Sequence, residues 1–119
     1  MSKYRVGDVV IADYSYFNKF HRYITQSRLW VITKFDEELD LYFVSYVTKR
    51  LYQANSHDGI TVLKTSLDGI KMSLKHDSFI YCDEKVDFEE DDIDRRIGGC
   101  LNINDILKKL KINCPLYFF

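Results

Sequence analysis

Residues 29–48, LWVITKFDEELDLYFVSYVT, decide the fold class. Residues 29–35 and 40–48 are both rich in β-branched and aromatic side chains, which suit a pleated and half-buried surface. Between them Asp36-Glu37-Glu38 supplies a polar turn, so the two runs read as a β-hairpin. Upstream, residues 6–13 (VGDVVIAD) read as a first strand centred on Val9, Val10 and Ile11. The stretch between, residues 14–27, shows no helical period and mixes aromatic, basic and polar residues. It is expected to form a long, partly ordered loop, a kind of segment that often carries function.

Downstream, residues 49–58 are a second irregular connection. Asp58-Gly59 turns the chain into a strand at 60–63, and Asp68-Gly69 is another turn signal before Ile70-Lys71-Met72. Residues 78–82 are expected to form a central strand, with 85–88 extending toward an acidic bend. Gly98-Gly99 is expected to break the chain before its one good helix. There Asn102 can serve as N-cap with Asp105 in the first turn, and Ile103, Ile106, Leu107 and Leu110 follow at helical spacing. Pro115 closes that helix, and the apolar tail 116–119 is expected to pack on the barrel or on a partner subunit. Short strands, frequent turns and one terminal helix predict a mostly-β small barrel with a C-terminal helix, forming a single domain over residues 1–119.

Composition narrows the function classes. The 119 residues are 46% hydrophobic and 29% charged, ordinary for a globular domain and unlike a disordered chain. No apolar run is long enough to cross a bilayer and no signal-peptide core opens the chain, so a cytoplasmic protein without membrane association is expected. Cys82, Cys100 and Cys114 fit neither a zinc spacing nor an even disulfide set, and read as ordinary thiols. The net charge of −1 hides an asymmetry: residues 83–94 hold eight acidic side chains and one lysine. The rest of the chain keeps 16 of the 17 basic and ten of the 18 acidic residues, or +6. An acidic edge on a basic body fits anion binding better than the total does. That edge lacks the spacing and central glycine of a calcium loop, so no metal and no cofactor are expected.

Four blocks, in order, carry a resemblance to the MazF/PemK family of ribonuclease toxins. Residues 6–13 resemble the family's "GDV" first strand ending in Asp. Ser27-Arg28-Leu29-Trp30-Val31-Ile32 stands where the family has Arg-Pro before a hydrophobic strand. Residues 43–48 (FVSYVT) resemble a strand ending in a hydroxyl residue, and His76-Asp77-Ser78-Phe79-Ile80 resembles the start of the central strand. Leu29 replaces the family's proline, Trp30 adds bulk beside Arg28, and Lys49 and Arg50 stand where smaller residues are usual.

The resemblance implies an SH3-like barrel, a homodimer, and metal-independent cleavage of single-stranded RNA, such as messenger RNA, in a toxin held by a cognate antitoxin protein. It assigns catalysis to Arg28, which would stabilise the charged phosphorane, and to Thr48, which would hydrogen-bond the scissile phosphate. By position alone the two are an arginine at a strand start and a threonine in a strand. RNA contacts are expected from Tyr16, Phe17, Lys19, His21 and Arg22 in the first irregular segment, because stacking rings and cations hold single strands. The same chemistry suggests Lys49, Arg50 and His57 in the second. His76, just before a strand, reads as structural. Two other readings use the same barrel: a non-catalytic toxin like CcdB, which poisons DNA gyrase by protein contact through its C-terminal end, and a degenerate interaction module.

Overall fold

Gly7 takes a left-handed backbone conformation (φ 95°), which lets the chain swing into the sheet while its N–H bonds the Ile32 carbonyl at 2.8 Å. In the computed structural model, which describes residues 2–118 apart from the side chains of Tyr117 and Phe118, β1 (Asp8–Phe17) follows at once. β1 pairs antiparallel with β2 (Tyr23–Asp36) in unbroken register from Val9–Val31 to Phe17–Tyr23. Residues 14–27 are therefore not a loop but the outer half of a long hairpin.

The hairpin is held by contacts that sequence alone does not pair. Ser15 and Thr25 bond hydroxyl to hydroxyl at 2.7 Å, and Phe17 meets Tyr23 edge-on at 5.0 Å. At its tip the Asn18 side-chain carbonyl accepts the N–H groups of Phe20 and Arg22, and His21 is left-handed (φ 59°).

β3 (Leu41–Thr48) continues the meander, with Asp36 capping the turn by accepting the N–H groups of Glu38 and Leu39. Its far edge is shared: β6 (Val86–Phe88) pairs with residues 42–44, and β5 (Ser78–Tyr81) with Val47 and Thr48. β4 (Gly59–Val62) pairs with β5, and the order β4-β5-β3-β2-β1-β7 is antiparallel throughout. β5 is thus next to the edge rather than central.

The last strand, β7 (Ile93–Gly99), is not expected from its sequence. Gly98 and Gly99 do not break the chain there; they pair with Val9 and Asp8. Gly98 is needed because a Cβ at that position would stand 2.5 Å from the Lys71 carbonyl oxygen. Register shifts on either side of Val10–Ile11 add twist, and the sheet curls into a half-barrel.

Asp68-Gly69 forms no simple turn either. It lies in α1 (Leu67–Lys71), whose N-cap Ser66 accepts the Gly69 N–H at 3.0 Å. α2 (Ile103–Asn113) is the expected helix. Asn102 holds the N-cap position, but its side chain makes no capping bond and instead accepts the Cys100 thiol at 2.9 Å. Pro115 begins a short α3 (Pro115–Phe118) at the helix position it tolerates best. Leu116 is 90% exposed, so of the two expected placements, on the barrel or on a partner subunit, the first does not hold for it. The rest of the expected packing tail, the side chains of Tyr117 and Phe118 and all of Phe119, lies outside the described residues.

Both faces of the sheet are covered, which explains its unbroken apolar runs. Val9, Val31, Val47 and Ile80 pack with Met72, Ile106 and Leu110 on one face. Val10, Trp30, Ile32, Tyr42, Val44 and Phe88 fill the other. Asp58 ties α2 to the start of β4 by accepting bonds from Lys109 Nζ at 2.9 Å and Asn113 Nδ2 at 2.8 Å. No helix among the described residues is long and apolar enough to cross a membrane.

Ile106, fully buried, anchors α2 to the sheet. Ile106→Ala is expected to lower stability by about 2–5 kcal/mol. Ile112→Ala, at a residue 72% exposed, should change it by less than about 0.5 kcal/mol. Urea unfolding followed by circular dichroism measures both.

Candidate nucleic-acid interface

Side chains two apart on a strand share a face, so Gln26, Arg28 and Trp30 of β2 lie in a row. Tyr46 of β3 pairs with Trp30 and so stands diagonal to Arg28. The Arg28 guanidinium rests between two tyrosine rings, 5.1 Å from the Tyr46 centroid and 5.9 Å from that of Tyr16. Nη1 donates to the Tyr46 hydroxyl and Nη2 to Gln26 Oε1. Nε is buried and has no hydrogen-bond partner among the described residues. An arginine has five N–H donors, so this one is held rigidly and still has donors to give.

Thr48 ends β3 with its side chain buried, and its Oγ1 accepts the Arg50 N–H at 3.2 Å. The hydroxyl proton of Thr48 is not used by that bond. Arg28, Tyr46 and Thr48 form a shared wall between two cavities.

The larger cavity, about 390 Å³, has Ile11, Leu29, Val47 and Ile97 among its apolar lining. Its polar lining includes Arg28, Lys49, Lys75, His76, Ser73 and Ser78, with no carboxylate. Three cations, hydroxyls and an imidazole are the groups that an anion could be held by. The smaller cavity, about 300 Å³, is aromatic: Tyr14, Tyr16, Trp30, Tyr46 and Tyr81 line it, with Arg28, Thr48, Arg50, Gln53 and Glu84 as polar groups. Tyr46 and Tyr81 stack nearly parallel at 5.6 Å. Trp30 is not loose bulk beside Arg28; it is buried, with Nε1 bonded to the Ala12 carbonyl at 3.3 Å.

The structure brings together part of the expected set. Arg28, Thr48, Tyr16 and Arg50 meet at the aromatic cavity, and Lys49 joins Arg28 and Thr48 at the cationic one. Phe17, Lys19, His21 and Arg22 do not join them. They sit at the hairpin tip, five residue pairs beyond the Ala12–Arg28 pair, about 17 Å away at ~3.4 Å per residue. His57 lies one ring behind the aromatic cavity, edge-on to Tyr81 at 4.7 Å, with Nδ1 3.2 Å from Asp83 Oδ2.

His57, Asp83 and Glu84 place one ligand atom each within 4.8 Å of one another and could hold a cation. Asp83 also accepts the Asp58 N–H at 2.9 Å, so the same group clasps the turn before β4. Sequence reasoning missed Tyr46, Tyr81, Gln53, Glu84 and Lys75, and placed His76 as structural. The alternation of β3 could have marked Tyr46, two residues before Thr48; the others come from elements distant in sequence.

Cys82 and Cys100 are poorly suited to act as nucleophiles. Burial pushes the Cys82 thiol up to about 12 and the Cys100 thiol to about 11, so both stay protonated at neutral pH. No family model matches this chain, and no curated protein matches it.

The raised thiols give stability a direction with pH. The folded state holds these protons more tightly than an unfolded thiol near 9.0, so the contribution is complete below pH 9 and declines as pH rises toward 11 and 12. Urea midpoints are expected to fall between pH 9 and 11, and a double Cys82→Ala, Cys100→Ala variant should lose that extra slope.

Proposed function

We propose that this protein is a metal-independent endoribonuclease acting on single-stranded RNA, with the scissile phosphate at the wall formed by Arg28, Tyr46 and Thr48. The observation that carries the reading is the position of Arg28. It lies between a cavity lined by cations and a cavity lined by aromatic rings, the two chemistries that a phosphate and its base require.

Cleavage on this reading is an internal transesterification. The 2′-oxygen bonds to phosphorus and gives up its proton, and the bond to the 5′-oxygen breaks as that oxygen takes a proton from water. A 2′,3′-cyclic phosphate and a 5′-hydroxyl result. The second N–H groups of Nη1 and Nη2 in Arg28, beyond those given to Tyr46 and Gln26, stabilise charge that develops on the equatorial oxygens. Thr48 donates its free hydroxyl proton to the same phosphate. His76 is the imidazole that lines the cationic cavity, and it accepts the 2′-hydroxyl proton. Lys49 and Lys75 hold the flanking phosphates.

The wider reading belongs to the same proposal: a cytoplasmic toxin acting on messenger RNA, homodimeric and held in check by an antitoxin protein. The hairpin tip, with Phe17, Phe20 and Tyr23 exposed beside Lys19 and Arg22, offers that partner or the RNA chain a surface separate from the reaction site.

Incubation with a long single-stranded RNA in EDTA tests the core claim. Discrete cuts ending in cyclic phosphate are expected, reduced about 10²–10³-fold in Arg28→Ala. His76→Ala should lose about 10²-fold or more while keeping the folded spectrum. Intact RNA from folded protein would overturn the proposal.

A further inference from the structure

The aromatic cavity is lined by more than stacking surface, and its polar groups are unequal. Glu84 is the one carboxylate in the lining, its side chain half exposed, and Arg50 and Gln53 line the same space. Aromatic boxes of this kind suit either a planar base or an organic cation. Here Arg28 already stands against the Tyr16 and Tyr46 rings, and with Arg50 it makes two cations to one carboxylate. A cationic ligand would meet a positive lining. A neutral planar base would not.

Among the bases, the polar set distinguishes one. Guanine presents the O6 acceptor beside two adjacent donors, N1–H and the N2 amino group. A carboxylate takes two parallel N–H bonds in its fork, and a guanidinium or amide supplies a donor to O6. Adenine and cytosine each offer a carboxylate one amino group beside a ring acceptor that would face it unpaired. Uracil offers one N–H flanked by two carbonyl oxygens. A carboxylate facing an acceptor lone pair is repelled, so Glu84 selects against these three as well as for guanine.

Building on the ribonuclease reading, we infer that the cavity formed by Tyr14, Tyr16, Tyr46, Tyr81 and Glu84 is a guanine-selective base site. A guanosine whose base stacks there places its phosphate at Arg28. Glu84 and Arg50 read the base edge, and the rings supply affinity without choosing among bases.

The test does not depend on cleavage. Trp30, the single tryptophan, lines this cavity and reports occupancy by its fluorescence. Titration with the four ribonucleoside 5′-monophosphates should give tightest binding for the guanosine form, by about tenfold or more. Inosine 5′-monophosphate, which lacks the N2 amino group, should fall between guanosine and adenosine. Glu84→Gln should erase the preference while keeping the folded spectrum. Tyr14→Ala, at a partly exposed position, should weaken all four nucleotides alike.

Equal binding of all four, no binding, or an unchanged preference in Glu84→Gln would overturn the inference. So would a stronger response to tetramethylammonium than to any nucleotide, which would mark a cation cage. If RNA is cut without regard to neighbouring guanine, the base site fails while the ribonuclease reading stands. If guanosine binds selectively and RNA stays intact, the ribonuclease reading fails while the base site stands.

Discussion

Everything in this structure depends on β2 being paired along both of its edges. Its residues 23–31 pair with β1 and its residues 29–36 with β3, the two edges overlapping at Leu29 to Val31, and its alternating side chains enter both cores. Val31 faces the layer capped by α2, while Trp30 and Ile32 face the second core. A strand so fixed cannot slip by one residue without sending Trp30 and Ile32 into the wrong layer. The same constraint locks Arg28, because its neighbour Leu29 pairs with Val47 and its diagonal neighbour is Tyr46.

The site inherits its character from that rigidity. β2 outruns β3 at one end, and the region beyond Leu29 is flanked by β1 alone. There the sheet stops being covered and two cavities open on either side of Arg28 and Thr48. One gathers lysines from the β3 end and from the segment before β5; the other gathers rings from β1, β2, β3 and β5. The acidic edge of the chain lies elsewhere apart from Glu84, which enters the aromatic cavity as its single negative group. The net charge of −1 therefore says little about the charge that a ligand would meet.

The sequence by itself determined the mostly-β class, the hairpin at residues 29–48 and the terminal helix, because local patterning settles those. Two runs rich in β-branched and aromatic residues around a polar turn specify a hairpin without distant help, and Ile106 and Leu110 mark the buried face of α2. It also marked Arg28, Thr48, Tyr16, Lys49 and Arg50, which the fold places at the two cavities. Only the tertiary structure decided the rest. Residues 14–17 and 23–27 became strands because they could pair with each other, and residues 93–99 because β1 offered them an open edge. The hairpin then carried His21, Lys19 and Arg22 away from Arg28, since an extended strand spends its length in one direction. His76, Tyr81 and Glu84 reached the cavities through contacts between strands far apart in sequence, which no local pattern records.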